Sequence, residues 1–255
     1  MSRVLTSTAA SAMLVMLCAH TASAETVTWK VEGDARLGFV YAPLVPASGA
    51  KLPVVFAFHG RGDDIQNFEF VGIHRAWPEA IVVYFQGLDS RGLSGWQVER
   101  GQDNDRDLKL VDVALASLRQ RYKVDDERIY ATGFSNGAAF TFLLWAERPN
   151  VFAAYAVVAG RLRPSVQPKQ PRPMLHVAGV SDPQIVYADQ RAAIVTAIAV
   201  NGVRNETERC GNGCTIYGGS SPTPVVTWIH PGGHEYPRGT SERIVGFFRE
   251  HTRRK

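Results

Sequence analysis

Ser135 sits in Gly133–Phe134–Ser135–Asn136–Gly137, a G-x-S-x-G run. The apolar segment Ile129–Tyr130–Ala131–Thr132 just before it reads as a buried strand, and Ala138 to Glu147 just after it reads as a helix. In that setting the run makes a sharp strand-to-helix turn that presents the serine hydroxyl as a nucleophile. Such a turn strains the backbone, and flanking glycines carry no Cβ to collide there. The helix start also aims backbone N–H groups at negative charge developing on a substrate oxygen.

A serine hydroxyl needs a histidine to take its proton and a carboxylate to hold that imidazole in the right tautomer. For a nucleophile on this kind of turn the chain order is serine, carboxylate, histidine. Asp182 directly follows the expected strand Met174–Ala178, and active groups gather beyond the carboxyl ends of parallel strands. Its rival Asp189 falls inside a helical pattern, where a surface charge is the expected role. His234, in the loop Pro231–Gly232–Gly233–His234–Glu235 after the last strand, is the expected base. His230 stands at that strand's end as a core or supporting residue, and His251 lies in the charged tail.

The oxyanion donors expected are the backbone N–H groups of Asn136, which follows the nucleophile, and of Arg61. Arg61 belongs to His59–Gly60–Arg61–Gly62 after an early strand, where His59 reads as a brace. Trp96, in a polar loop, reads either as a substrate-binding aromatic platform or as a packed loop aromatic. Asp103, Asp105 and Asp107 alternate as in a calcium loop, but Leu108 and Ala114 occupy the positions of its Gly and Glu. They are read as helix capping with some loop packing. No metal and no cofactor is expected.

The elements that must position these groups follow from periodicity. Thr26–Lys30 and Arg36–Tyr41 flank the turn signal Glu32–Gly33–Asp34 and suggest an antiparallel hairpin. Val54–Phe58, Ile81–Phe85, Ile129–Thr132, Ala153–Val158, Met174–Ala178 and Val225–Ile229 are apolar runs suited to strands buried on both faces. Leu108, Val111, Leu115, Leu118 and Tyr122 recur at helical spacing, and Ala138 to Glu147, Ala188 to Val200 and Ser241 to Glu250 also read as helices. Strands alternating with helices imply an α/β fold with a mostly parallel sheet covered on both faces. Pro164 to Pro173 reads as a connecting loop.

The chain has 255 residues and a net charge of +4, a mild basic excess without the stripe or motif of a nucleic-acid binder. Residues 1–24 read as a signal peptide: Arg3, an apolar run from Ala9 to Ala19, and the A-x-A cleavage signal Ala22–Ser23–Ala24. The run is too short to span a membrane, and the bulky Met16–Leu17 before Cys18 argue against a lipid anchor. A secreted or periplasmic protein with one domain over 25–255 is expected. Cys210 and Cys214 then flank Gly211–Asn212–Gly213 in a compartment that permits disulfides, and a small stapled loop is favoured over zinc.

Several of these residues resemble a known group. His59–Gly60, the Gly133–Gly137 elbow, Asp182 at a strand end and Gly232–Gly233–His234–Glu235–Tyr236–Pro237 are similar to secreted polyhydroxybutyrate depolymerases and feruloyl esterases, carbohydrate esterase family one of the α/β-hydrolase superfamily. The similarity runs from about Leu37 to Phe248. It implies hydrolysis of carboxylic esters: feruloyl or acetyl groups on plant polysaccharide, short aryl esters or hydroxyalkanoate oligomers. Gly133–Phe134 in place of the more frequent G-L, and Arg61–Gly62–Asp63–Asp64 in the oxyanion segment, depart from the common pattern. Without an appended polymer-binding domain, soluble or oligomeric esters are expected over solid polymer. A serine peptidase or thioesterase on the same scaffold, or an exported binding protein without turnover, are the alternatives.

Overall fold

The computed structural model describes residues 22–44, 49–90, 92–204 and 206–253. The expected leader, with Cys18, therefore lies outside the described residues except for Ala22–Ala24, which open the first strand.

That strand, β1 (Ala22–Val31), pairs antiparallel with β2 (Asp34–Pro43) through the turn at Glu32–Gly33, as the alternating pattern predicts. Four further strands follow in the first half: β3 (Leu52–Phe58), β4 (Ile81–Phe85), β5 (Leu88–Ser90) and β6 (Leu93–Gly95). The second half adds β7 (Val124–Phe134), β8 (Ala154–Val158), β9 (Met174–Gly179), β10 (Thr207–Gly211), β11 (Cys214–Tyr217) and β12 (Val225–His230). Ten of them form one sheet in the order β1-β2-β4-β3-β7-β8-β9-β12-β11-β10. The strands from β4 to β12 in that order run parallel, and the two edges are antiparallel.

Successive side chains of a strand point to opposite faces, which divides the core in two. Val54, Phe56 and Phe58 of β3 face the layer of α3 (Arg106–Arg121), α4 (Asn136–Glu147) and α5 (Tyr187–Asn201). Val55 and Ala57 face the opposite layer, where α1 (Ile65–Phe68), α2 (Ile73–Ala76) and α6 (Thr240–Arg249) pack. Both faces are covered, which explains why these strands read as unbroken apolar runs.

Elements without a periodic apolar signal were not expected. The helices α1 and α2 are single turns, and β10 is exposed at every residue. Cys210 and Cys214 form a disulfide joining β10 to β11, with Cα atoms 5.0 Å apart.

At the start of α3, Asp105 and Asp107 do the loop packing expected of them rather than the capping. Asp105 holds the N-cap position in a left-handed conformation, φ 56°, without a capping hydrogen bond from its side chain. It accepts instead from Gly101 N and Gln97 Nε2, each at 2.8 Å. Asp107 is buried, pairs with Arg36 of β2 at 2.6 Å and accepts from Gln97 N at 2.7 Å. A buried guanidinium lacking that carboxylate would carry an uncompensated charge, so these residues lock a loop to the sheet.

Candidate active site

The chain leaves β7 at Phe134 and enters α4 at Asn136, two residues earlier than the sequence pattern suggests. Ser135 makes the whole turn, at φ 55° and ψ −113°. A non-glycine residue is rarely held there unless its surroundings over-determine it, and they do. Ser135 N donates to Val158 O of β8 at 2.9 Å. A Cβ on Gly133 would overlap the Gly137 carbonyl, and one on Gly137 would overlap the carbonyl of Phe58 at the end of β3. The two glycines therefore let the start of α4 lie directly on the sheet.

Asp182 and His234 follow β9 and β12, which are parallel neighbours, so both loops emerge at the edge where Ser135 stands. Ser135 Oγ lies 2.9 Å from His234 Nε2, and His234 Nδ1 lies 2.8 Å from Asp182 Oδ2. An ionised carboxylate only accepts, so Nδ1 carries the proton and Nε2 is left to accept the serine hydroxyl. Burial of Asp182, 4% exposed, opposes its ionisation. Hydrogen bonds from His234, Ile185 N and Gln184 N outweigh that and hold its pKa below the usual carboxylate value.

The two loops are also stitched to each other. Val180 N donates to His230 O and Ser181 N to Gly232 O, at 2.9 and 3.1 Å. His230 Nδ1 accepts from Gly232 N at 3.2 Å, the supporting role expected of it. The ring of Phe134 lies 4.9 Å from that of His234, so the aromatic residue inside the elbow backs the imidazole. Gln190 of α5 donates from Nε2 to Asp182 Oδ2 at 3.1 Å and to Ile185 O at 2.7 Å. Sequence reasoning missed it, because a buried glutamine in a helix has no motif to announce it.

On the other side of Ser135, Arg61, Trp96 and Asn136 line a cavity of about 750 Å³ that also contains Ser135. Asn136 does more than follow Ser135. Its Oδ1 accepts from Trp96 N at 2.7 Å and its Nδ2 donates to Trp96 O at 3.2 Å, clamping the opposite loop. His59 is a brace: Nδ1 donates to Gly60 O at 2.6 Å and Nε2 accepts from Gly87 N at 2.9 Å. Burial lowers its pKa and keeps it neutral.

Trp96 lines the cavity, but little of its side chain is left uncovered. Its side chain is 3% exposed, donates from Nε1 to His59 O at 2.9 Å, and stacks on Phe140 at 5.8 Å. So little exposed surface favours the packed loop aromatic over the platform. Asp189 stays on the surface near Arg161, and His251 donates from Nδ1 to Phe247 O at 2.7 Å, away from Ser135.

The arrangement can move a proton from Ser135 to His234 while Asp182 compensates the imidazolium. An acetyl xylan esterase from Aspergillus awamori superposes with a TM-score of 0.69, 16% identity, 88% of this chain and 98% of its own covered. The chain has the α/β-hydrolase fold. Within that fold, a ferulic acid esterase matches at TM-score 0.66 and 15% identity, covering 90% of this chain and 98% of the other. An acylaminoacyl peptidase matches at 0.65 and 14%, covering 92% and 42%. The α/β-hydrolase scaffold alone thus leaves the acyl substrate open.

Sequence relatives of this α/β-hydrolase-fold chain carry esterase names. Feruloyl esterase C of Emericella nidulans is 26% identical, over 71% of this chain and 70% of its own length. A bifunctional acetylxylan esterase/xylanase of Neocallimastix patriciarum is 29% identical over 61% and 23%. Poly(3-hydroxyalkanoate) depolymerase C of Paucimonas lemoignei is 31% identical over 44% and 28%. For four of the curated relatives the match spans less than half of their own length, 47%, 23%, 28% and 27%. No family model matches the chain.

Proposed function

We propose that this chain is an exported serine hydrolase that cleaves carboxylic esters, with Ser135 as nucleophile, His234 as proton carrier and Asp182 as its orienting carboxylate. The observation carrying this reading is the hydrogen-bonded series Ser135–His234–Asp182 on a strained elbow, in a chain whose sequence relatives are named esterases. Ser135 Oγ attacks the ester carbonyl as its proton passes to His234 Nε2. Backbone N–H groups of Asn136 and Arg61 receive the oxyanion. Collapse expels the alcohol, which takes the proton from His234. Water then attacks the acyl-enzyme, losing a proton to His234, and the acid is released with Ser135 restored.

The relatives' names suggest feruloyl, acetyl and hydroxyalkanoate esters as the classes to try. Export is supported by the leader-like residues 1–24 and the Cys210–Cys214 disulfide. Among the described residues no helix is long and apolar enough to cross a membrane.

Hydrolysis of methyl ferulate and a short-chain p-nitrophenyl ester by wild type and Ser135→Ala tests the reading, with a peptide anilide and a thioester alongside. Cleavage of an ester by wild type and its loss in Ser135→Ala is expected. Full activity of Ser135→Ala would overturn the mechanism, and turnover of the anilide or thioester alone would move the chain to another acyl class.

A further inference from the structure

Arg61, Arg100, Arg161 and Arg163 line the cavity at Ser135, against Glu99 as the one acidic lining residue. The whole chain has a net charge of only +4, so this concentration of cations is local. Arg100 lies 3.4 Å from Glu147 but is 76% exposed, and Arg161 lies 3.6 Å from Asp189 with both side chains well exposed. Pairs this long and this wet are worth little and yield readily to a better partner. Arg163 makes no ion pair among the described residues.

Most small-molecule sites are predominantly apolar. Here the apolar atoms come from Val98, Ala139 and Ile185, while the Trp96 ring is already packed. A planar guanidinium is matched in shape and charge to a carboxylate, which it can bind through two hydrogen bonds.

Resting on the esterase reading above, we infer that the substrate is an ester carrying a free carboxylate close to the scissile bond, bound by Arg161 and Arg163 in the cavity at Ser135. Such a carboxylate occurs on the alcohol portion of a hydroxyacid oligomer or an acidic saccharide ester, or on the acyl portion of a dicarboxylic monoester. The reaction stays ester plus water to acid plus alcohol. The arginines bind the charge that does not react, and positioning of the ester follows from that.

The test compares kcat/KM for two matched pairs by base-uptake titration. Methyl hydrogen succinate against methyl succinamate places the charge on the acyl side, and 3-acetoxybutanoate against 3-acetoxybutanamide places it on the alcohol side. In at least one pair the anionic member should be favoured about tenfold or more, the scale of one charge-assisted hydrogen bond. The preference should shrink toward unity in Arg163→Gln and Arg161→Gln, and fall as salt rises from about 0.05 to 0.5 M. Arg249→Gln, whose side chain pairs with Glu79 outside this cavity, should keep it. Hydrolysis of all four esters without an anionic preference, or a preference untouched by both cavity variants, would overturn this inference alone. Failure of wild type to cleave any of them, or the esters of the preceding test, would overturn the esterase reading with it.

Discussion

Around Ser135 the polar groups are tied to one another by short hydrogen bonds, whereas the arginines of the adjoining cavity reach into solvent with long ion pairs. Asp182 accepts from His234, Gln184 N, Ile185 N and Gln190, and Gln190 is fully buried. Among the described residues, the ion-pair partners of Arg100 and Arg161 lie at 3.4 and 3.6 Å. The difference separates two tasks. Proton transfer needs one geometry held before substrate arrives, while recognition of a charged group tolerates side chains that adjust on binding. If this division is right, changes in the buried part should cost catalysis or stability steeply, and changes on the wet side should alter selectivity.

The steepest test is Asp182→Asn. The amide can still accept from Gln184 N and Ile185 N through its oxygen, but its NH2 group then faces His234 Nδ1 and Gln190 Nε2, both donors. The imidazole is pushed to the wrong tautomer, and kcat should fall by about 10⁴-fold with the fold retained by circular dichroism. A loss below tenfold would mean that the carboxylate is not coupled to the histidine.

Acid stability probes the burial beneath the site. His176 of β9 is fully buried, and burial lowers its pKa to about 3, partly offset by the Gln190 side chain. The unfolded chain binds a proton near pH 6.5 while the folded chain resists until about 3, so stability is full above pH 6.5 and falls as pH drops. The slope is up to about 1.4 kcal/mol per pH unit for this one group. His74, lowered to about 4 by burial and then by Arg75, adds to it over a narrower window. His176→Met should flatten the urea-midpoint profile between about pH 6 and 4; parallel profiles for variant and wild type would remove His176 from the account.

Gln190→Met tests whether the outer support matters for turnover. Removing its bond to Asp182 while filling the volume should lower kcat about tenfold, in line with a single lost hydrogen bond to a charged group, and leave KM little changed. A rise in KM with kcat intact would place Gln190 on the binding side instead.

The smallest effect is expected far from the site. The disulfide closes a loop with a sequence separation of 4, at the sheet edge. Replacing both cysteines by serine should cost no more than about 2 kcal/mol in urea unfolding, with unchanged ester hydrolysis. A loss of activity would show that the β10–β11 edge communicates with the loop bearing His234.

Much of the molecule could be read from residues in order. The buried strands announce themselves because both faces of a parallel sheet demand apolar side chains, and Gly133 and Gly137 because a Cβ there would strike backbone. Ser135, Asp182 and His234 stand at strand ends that short loops must bring to one edge. Trp96 was ambiguous because an aromatic in a polar loop looks the same in sequence whether its ring faces a ligand or Phe140. Asp105 and Asp107, at the start of α3, look like caps in sequence because nothing near them reveals that Asp107 meets a buried Arg36 71 residues away along the chain. Gln190, the clamp by Asn136 and the meeting of Arg100, Arg161 and Arg163 in one cavity were decided by tertiary structure alone. Local sequence records what a residue's own turn or strand requires of it; which distant side chain meets it depends on how layers pack, and nothing near it in the chain carries that information.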